Sequence, residues 1–510
     1  MLAVLTPEDW ACLNWSNRVK DRGAVRAGLA VAVTGAVTSA VVTLHLQQNL
    51  LYFAVVGSVL VACGMVLVFA LRETQDEFAL ASVLLLLLPF HTILDKVVVA
   101  LIKSHVLRLA LSSWKEIGLL ALALRLVVGA VARQSRPVRV NPIIVLAGAL
   151  ALWGLIRIGT ADTLRIGIAA YRDLFIGVPA LIGAYLLHAS ESRRIDLAYG
   201  MMLQGAALAV WGFVSRYVLD YVHYLVTMGF APENTTWAHL LRATGEYRWL
   251  TVFSANGGRI VRANSVFVGP NEFGLYLAVV LVLGWGVLLY LRLDTVARRQ
   301  VGYVASLGAM AFGCLISVSR SAWVLLVVGA VVVLLSLPAS CWRRLVGVGA
   351  LLVAVTAVAA MPNLRSYAER TLRLQEPSAA WRAESVGEAL LAIRRNPMGI
   401  GLANANYRFV GETRYHVHTE SHLVAVALEL GWPGLALHLA LMLASFAKCW
   451  TLSRRGGTVQ RMFAATSAGI LLGTLLAQVT SAITMDWLFQ VYLWFHVGTV
   501  LALEEEHTRG

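Results

Sequence analysis

Long apolar runs separated by short polar connections dominate the chain from about residue 29 almost to its charged end. A helix needs about 20 apolar residues to cross the hydrocarbon core of a bilayer. On that measure the pattern predicts spans at 29–46, 50–71, 79–95, 116–132, 141–156, 173–188 and 196–216. Seven more follow at 272–291, 301–317, 322–339, 345–361, 422–447, 462–482 and 486–503. The stretch 141–156 is short and 79–95 runs into an amphipathic piece, so each reads as a span, a half-helix or an interfacial segment. The expected fold class is all-α: a polytopic integral membrane protein of about 12–14 transmembrane helices with two long outer-face connections.

Lys and Arg in the short connections set the orientation. Arg133, Arg136, Arg139, Arg193, Arg194, Arg292, Arg298, Arg299, Arg343, Arg344, Lys448, Arg454, Arg455 and Arg461 all fall on one side when the N-terminus is cytoplasmic. The opposite turns near Gln47–Asn49 and Ile483–Asp486 carry neither residue type. Segment 96–115 runs against the trend, with Lys96, Lys103, Arg108 and Lys115 on the outer side. Both termini are expected inside. The expected division is a cytoplasmic segment at 1–28, an N-terminal bundle at 29–216 and a first outer connection at 217–271. Central helices at 272–361, a second outer loop at 362–421, C-terminal helices at 422–503 and a cytoplasmic tail at 504–510 complete it.

Composition excludes a soluble enzyme of this size. Of 510 residues 59% are hydrophobic and 14% charged, too little charge to cover a water-facing surface. Glu8, Asp9, Arg18, Lys20, Asp21, Arg22 and Arg26 precede the first run, so that run reads as a retained span rather than a cleaved signal. The net charge of +14 is dispersed between spans, which fits topology signals and anionic substrates and leaves no cationic module for nucleic acid. Five cysteines without a CxxC pair indicate neither a disulfide framework nor a thiolate metal cluster.

Candidate chemistry lies in four places. In GGRIVRANSVFVGPNEFG (257–274), Arg259 and Arg262 stand directly before a span, with Pro270 and Asn271 read as its cap. A guanidinium offers bidentate hydrogen bonds to phosphate and stays charged; the plain alternative is anchoring to lipid headgroups. Arg172, beside Asp173, begins the predicted sixth span, whereas Arg125 falls mid-span and reads as an internal contact or a snorkelling side chain. Arg320 sits in the tight turn ISVSRSAW (316–323), whose serines read as caps. His416, His418, Glu420 and His422 crowd the end of the second outer loop. Their four-residue spacings would pair His416 with Glu420 and His418 with His422 on helical faces. A histidine or carboxylate there suits proton abstraction from a hydroxyl, or merely ends a polar loop. HTESH lacks the Glu of a zinc-peptidase HExxH motif, and no metal is expected. Residues 383–393 form an amphipathic helix, broken by Pro397 and able to roof a cavity at the membrane surface.

Several of these pieces together resemble the bacterial O-antigen ligase and O-antigen and exopolysaccharide polymerase superfamily. They are WKE at 114–116, YRD at 171–173, RANSVFVGPNEFG at 262–274, SRSAW at 319–323, NPMGIGLANANYR at 396–408 and ESHLVAVALELGWPG at 420–434, in the family's usual order. The resemblance implies a bacterial inner-membrane glycosyltransferase with its active site on the periplasmic face and no cofactor. Its partners would be an undecaprenyl-diphosphate-linked glycan donor, a glycan acceptor, membrane lipids and a flippase or chain-length regulator.

By resemblance Arg172, Arg259 and Arg262 would hold the donor diphosphate, and His418 or Glu420 would act as general base. Arg125, Arg320, His416, His422 and Asp486 are further candidates for the cavity. Counting back from Glu429, Glu420 and Ser421 replace residues of the family's HxHN-type motif. That departure, with the long first outer connection, makes polymerisation of lipid-linked repeats the expected reaction. Ligation to lipid A core is one alternative, and anion or solute transport is the other.

Overall fold

The computed structural model describes residues 76–92, 94, 113–132, 141–218, 251–253, 259–290, 297–337, 369–370, 373, 375, 377–405, 419–479, 481 and 487–509. The predicted spans at 29–46, 50–71 and 345–361 lie outside them, as do His416, His418 and Asp486. Thirteen α-helices follow one another among the described residues, with a 3-10 turn, Leu88–Phe90, after the first. The first six are α1 (Glu77–Leu87), α2 (Trp114–Ala132), α3 (Pro142–Ile158), α4 (Leu164–Phe175), α5 (Gly177–Leu186) and α6 (Glu191–Tyr217). After a short hairpin come α7 (Pro270–Tyr290), α8 (Ala297–Ile316), α9 (Arg320–Ser336), α10 (Pro377–Arg395), α11 (His422–Leu452), α12 (Thr458–Ala477) and α13 (Trp487–Arg509). The hairpin, β1 (Thr251–Phe253) against β2 (Arg259–Val261), is antiparallel with Phe253 opposite Arg259. Among the described residues the fold is all-α apart from those two three-residue strands, and the protein is a polytopic membrane protein.

Among the described residues α6, α7, α11 and α12 are long and apolar enough to cross a membrane. The pair α4 and α5, bent by 41°, is a fifth. Shorter apolar helices occupy Glu77–Phe90, Pro142–Ile158, Gly302–Ile316 and Arg320–Ser336. The stretch read as a possible half-helix at 141–156 is the regular helix α3. Asn141 caps it by accepting from the Ile143 N–H at 3.0 Å, and Pro142 takes the first turn, where no N–H is required.

Two expected spans are broken. The stretch 173–188 takes in only the last three residues of the amphipathic helix α4, which Thr163 caps, and continues through Ile176 into the apolar α5. Arg172 consequently closes α4 instead of opening a span, because α4 starts well upstream at Leu164. In α11 the backbone leaves helical geometry at Gly431, with φ at 72°. His422 and His438 stand sixteen positions apart in the sequence, about 24 Å along a straight helix. Their ring centroids lie 5.2 Å apart, so the chain folds back between them. Pro433 follows the break and has no N–H to continue a ladder. Trp432 to Leu452 spans about 30 Å at 1.5 Å per residue, enough to cross the core alone.

Polar groups opened by the fold-back are satisfied by neighbours, as an apolar surround demands. Trp153 Nε1 donates to the Leu430 carbonyl at 2.8 Å, and the Trp432 N–H donates to the Pro397 carbonyl at 2.9 Å. The Ile400 N–H reaches the Leu428 carbonyl at 2.7 Å. Glycine is needed at Gly431, where a Cβ would stand 2.4 Å from the Met398 carbonyl carbon, and at Gly399, 2.6 Å from the Glu429 carbonyl oxygen.

Helix pairs in lipid hold together by close packing rather than by release of water. α12 approaches α9 so closely that a Cβ on Gly469 would lie 2.7 Å from the Gly329 carbonyl oxygen. α13 meets α5 the same way, Gly498 facing the Leu181 carbonyl at 2.5 Å. α7 is buried almost all round between α6, α8, α9 and α12, with Phe273 and Leu277 fully enclosed. At one end of the bundle, Arg194 donates to both Glu506 oxygens at 2.8 and 2.9 Å, and Lys448 pairs with Glu504. These pairs tie α6 and α11 to the C-terminal end of α13.

Candidate functional site

The described candidates fall into three neighbourhoods. The first surrounds Arg262, which follows β2 and is almost completely buried. Its Nε donates to the Ser317 carbonyl at 2.9 Å, and a terminal nitrogen donates to Asn271 Oδ1. Both of these acceptors are neutral oxygens, and together they aim the guanidinium. Asn271, expected to cap α7, serves Arg262 instead, while Pro270 opens that helix as expected. The Ala263 N–H donates to the Ile316 carbonyl at 3.0 Å, a second tie between the RANS segment and the end of α8. Ser265 and Val318 are both held at positive φ, 52° and 45°. Such backbone is strained for a β-branched Val and is kept where the surroundings fix it.

The turn between α8 and α9 is as tight as its sequence predicts. Its serines do not cap as expected: the side chain of Ser319, preceding Arg320, makes no cap bond and lies 3.2 Å from Ser321 Oγ. Arg320, partly buried, is the first residue of α9. Arg259 pairs through its backbone with Phe253, and its side chain lies outside the described set.

The second neighbourhood brings WKE and YRD together. Arg172 Nε and a terminal nitrogen both bond Asp173 Oδ1, at 3.1 and 2.9 Å, and Nε lies 3.5 Å from Glu116 Oε1. Lys115 sits 3.8 Å from the same Glu116 oxygen and 5.0 Å from the Trp487 ring centroid. Two cations and two carboxylates thus meet where α2, α4 and the start of α13 converge. Gln490 of α13 donates to the Asp173 and Leu174 carbonyls, fixing the end of α4. An aromatic run joins the two neighbourhoods: Phe267 to Tyr276 at 5.5 Å, then Tyr276 to Tyr492 at 5.4 Å between ring centroids. Arg125 stands apart, half exposed and 3.6 Å from Glu77 Oε1.

The third neighbourhood is the start of α11. The helix begins only at His422, and residues 419–421 are not helical. The expected helical pairing of His416 with Glu420 and of His418 with His422 therefore loses its basis. Glu420 is half-buried and His422 has no exposed surface. The Ser421 hydroxyl donates to the Gln478 carbonyl at 3.2 Å, and the His422 N–H donates to that oxygen at 3.0 Å. Glu429, on the limb before the fold-back, receives the Ala405 N–H at 3.0 Å and so holds the NPMGIGLANA loop that leads toward 406–418. α10 packs beneath this limb, Ala389 and Ile393 against Ala425 and Leu428, as the amphipathic pattern of 383–393 predicts.

Gln478 and Glu429 escaped sequence reasoning as parts of the site. Glu429 carries a signal, an acidic residue in a run otherwise apolar, whereas Gln478 has none beyond being polar near a helix end. Among the described residues no group of three or more His, Cys, Asp or Glu is placed to hold a metal ion.

No curated protein matches the chain. A family model does: residues 305–439 match the family described as O-Antigen ligase, a segment that takes in SRSAW, NPMGIGLANANYR and ESHLVAVALELGWPG.

Proposed function

We propose that this protein transfers a glycan from a lipid-linked diphosphate to an acceptor hydroxyl at the outer face of a bacterial inner membrane, both termini being cytoplasmic. Ligation to lipid A core is placed first, because the matched domain carries the ligase description. Polymerisation is the second reading, favoured by Glu420 and Ser421 standing where ligase-like relatives carry a histidine pattern. The observation that carries the reading is Arg262, buried yet aimed by neutral oxygens and tied to the turn that opens the matched domain's second helix.

The donor supplies its own leaving group, so the protein has two tasks. Fixed cations stabilise the charge that develops on the diphosphate as the anomeric bond breaks. Arg262 and Arg259 take that role, with Arg172 at the end of α4 as the partner from the WKE–YRD cluster. A base removes the proton of the acceptor hydroxyl as the new glycosidic bond forms. Glu420 is the described candidate, with His418 in the segment just before it. The test supplies purified protein with one defined lipid-diphosphate glycan, with and without lipid A core. Product only with core supports ligation; a ladder of longer lipid-linked glycans without core supports polymerisation. Anion uptake into sealed vesicles with no glycan transfer would overturn both in favour of transport.

A further inference from the structure

The fold-back of α11 encloses a pocket lined by both of its limbs and by α3, α4, α5, α13 and the end of α12. Most of its wall is apolar, and His422, His438 and Gln478 stand together as its polar pole. His422 is fully buried, and neither ring nitrogen meets a hydrogen-bond partner among the described residues. A neutral imidazole carries one donor and one acceptor, and burying both unmet is costly. His438 and Gln478 are already joined, Nε2 to Oε1 at 3.1 Å, and the His438 ring stands edge-on to His422.

The lining decides what can sit there. Among the described residues no Lys, Arg, Asp or Glu side chain lines the pocket, and the titratable groups that do are the two histidines. An anion or a metal cation finds no counter-charge. A neutral molecule that both donates and accepts satisfies the imidazole, and such a molecule stays at the polar pole because most of the rest of the wall is apolar. Water fits this chemistry.

We propose that the polar pole is a buried water site bridging the His422 ring to His438 and Gln478. Through it His438 and Gln478 act as positioning residues for Glu420. Gln478 is the hub. Its carbonyl holds Ser421 and His422 from one limb, and its side chain holds His438 from the other. Glu420 immediately precedes this tied segment, so its place depends on both limbs being latched. The role given to Glu420 rests on the proposed function; the water site does not.

Two measurements on the full chain in lipid nanodiscs test this. A high-resolution map is expected to show ordered density within hydrogen-bonding distance of a His422 ring nitrogen and of His438 or Gln478. An empty or purely apolar-filled pole overturns the water site. Kinetics of glycan transfer are expected to show His438→Leu and Gln478→Leu losing about tenfold or more in kcat with donor KM nearly unchanged. His438→Gln keeps a donor toward Gln478 and is expected to recover most of that loss. Native kcat in His438→Leu, or equal losses in the Leu and Gln variants, overturns the positioning role. If the native protein transfers no glycan, the proposed function fails while the map still decides the water site.

Discussion

Arg262 donates through Nε to the main-chain carbonyl of Ser317 at 2.9 Å, joining the segment before α7 to the turn between α8 and α9. Two segments separated by two helices in the sequence are thereby one structural unit. A lysine at 262 keeps the charge but presents a point donor rather than a planar fork, and it loses the fixed geometry that lets one side chain hold Ser317 and face a phosphate. Arg262→Lys is expected to lose roughly tenfold or more in kcat, and Arg262→Ala on the order of a hundredfold. Steady-state transfer assays on protein of verified folding check both; equal activity in the lysine variant would reduce Arg262 to an anchor.

Glu420→Gln removes a proton acceptor while keeping size and hydrogen bonding. Its kcat is expected to fall on the order of a hundredfold or more, with donor binding retained. A pH–rate profile that keeps its acidic limb in the variant would move the base to the 406–418 segment.

Gly431 is a structural necessity of the fold-back. Its φ of 72° disfavours any residue with a Cβ, which would also stand 2.6 Å from the Pro397 carbonyl oxygen. Gly431→Ala is expected to cost about 1–3 kcal/mol of stability, read as a lower melting temperature in detergent. Gly308→Ala, where a Cβ meets nothing within 4 Å, is the matched control and is expected to be neutral.

Acid is expected to loosen one end of the bundle. Burial alone would raise the Glu506 carboxyl, but His188 and the Arg194 guanidinium outweigh it and hold the group below the ordinary carboxylate range. A depressed folded value means the stabilisation is present above the unfolded value and is lost as pH falls through the folded one. Asp76, which caps α1 and pairs with Arg193, behaves alike: its hydrogen bonds outweigh burial. Melting temperature is expected to fall below the ordinary carboxylate range, and Glu506→Gln is expected to flatten part of that fall while lowering stability at neutral pH. An unchanged acid limb in the variant would contradict this.

How much of this was legible follows from what each signal measures. Apolar run length located α6, α7 and α12 to within a few residues, because crossing a bilayer is mainly a matter of length and transfer energy. The same signal began a span at 173, leaving most of α4 out of it, and drew 422–447 as one rod. Hydropathy does not register a bend when both limbs are apolar, and Gly431 with Pro433 was the readable warning. Motif order singled out Arg172, Arg262 and Glu420, yet not that Glu116 would bind Arg172 or that Asn271 would leave its helix cap for Arg262. Those are tertiary choices between partners, made by helices that pack far apart in sequence. Gln478 was invisible for the same reason.

Transfer by the purified chain from a lipid-diphosphate glycan tests the central claim most directly. Native protein, given donor and lipid A core, is expected to release lipid diphosphate in step with glycan joined to core, and Arg262→Ala is expected to abolish both together. Release without an acceptor-linked product, or full transfer by the Arg262→Ala protein, would contradict the account.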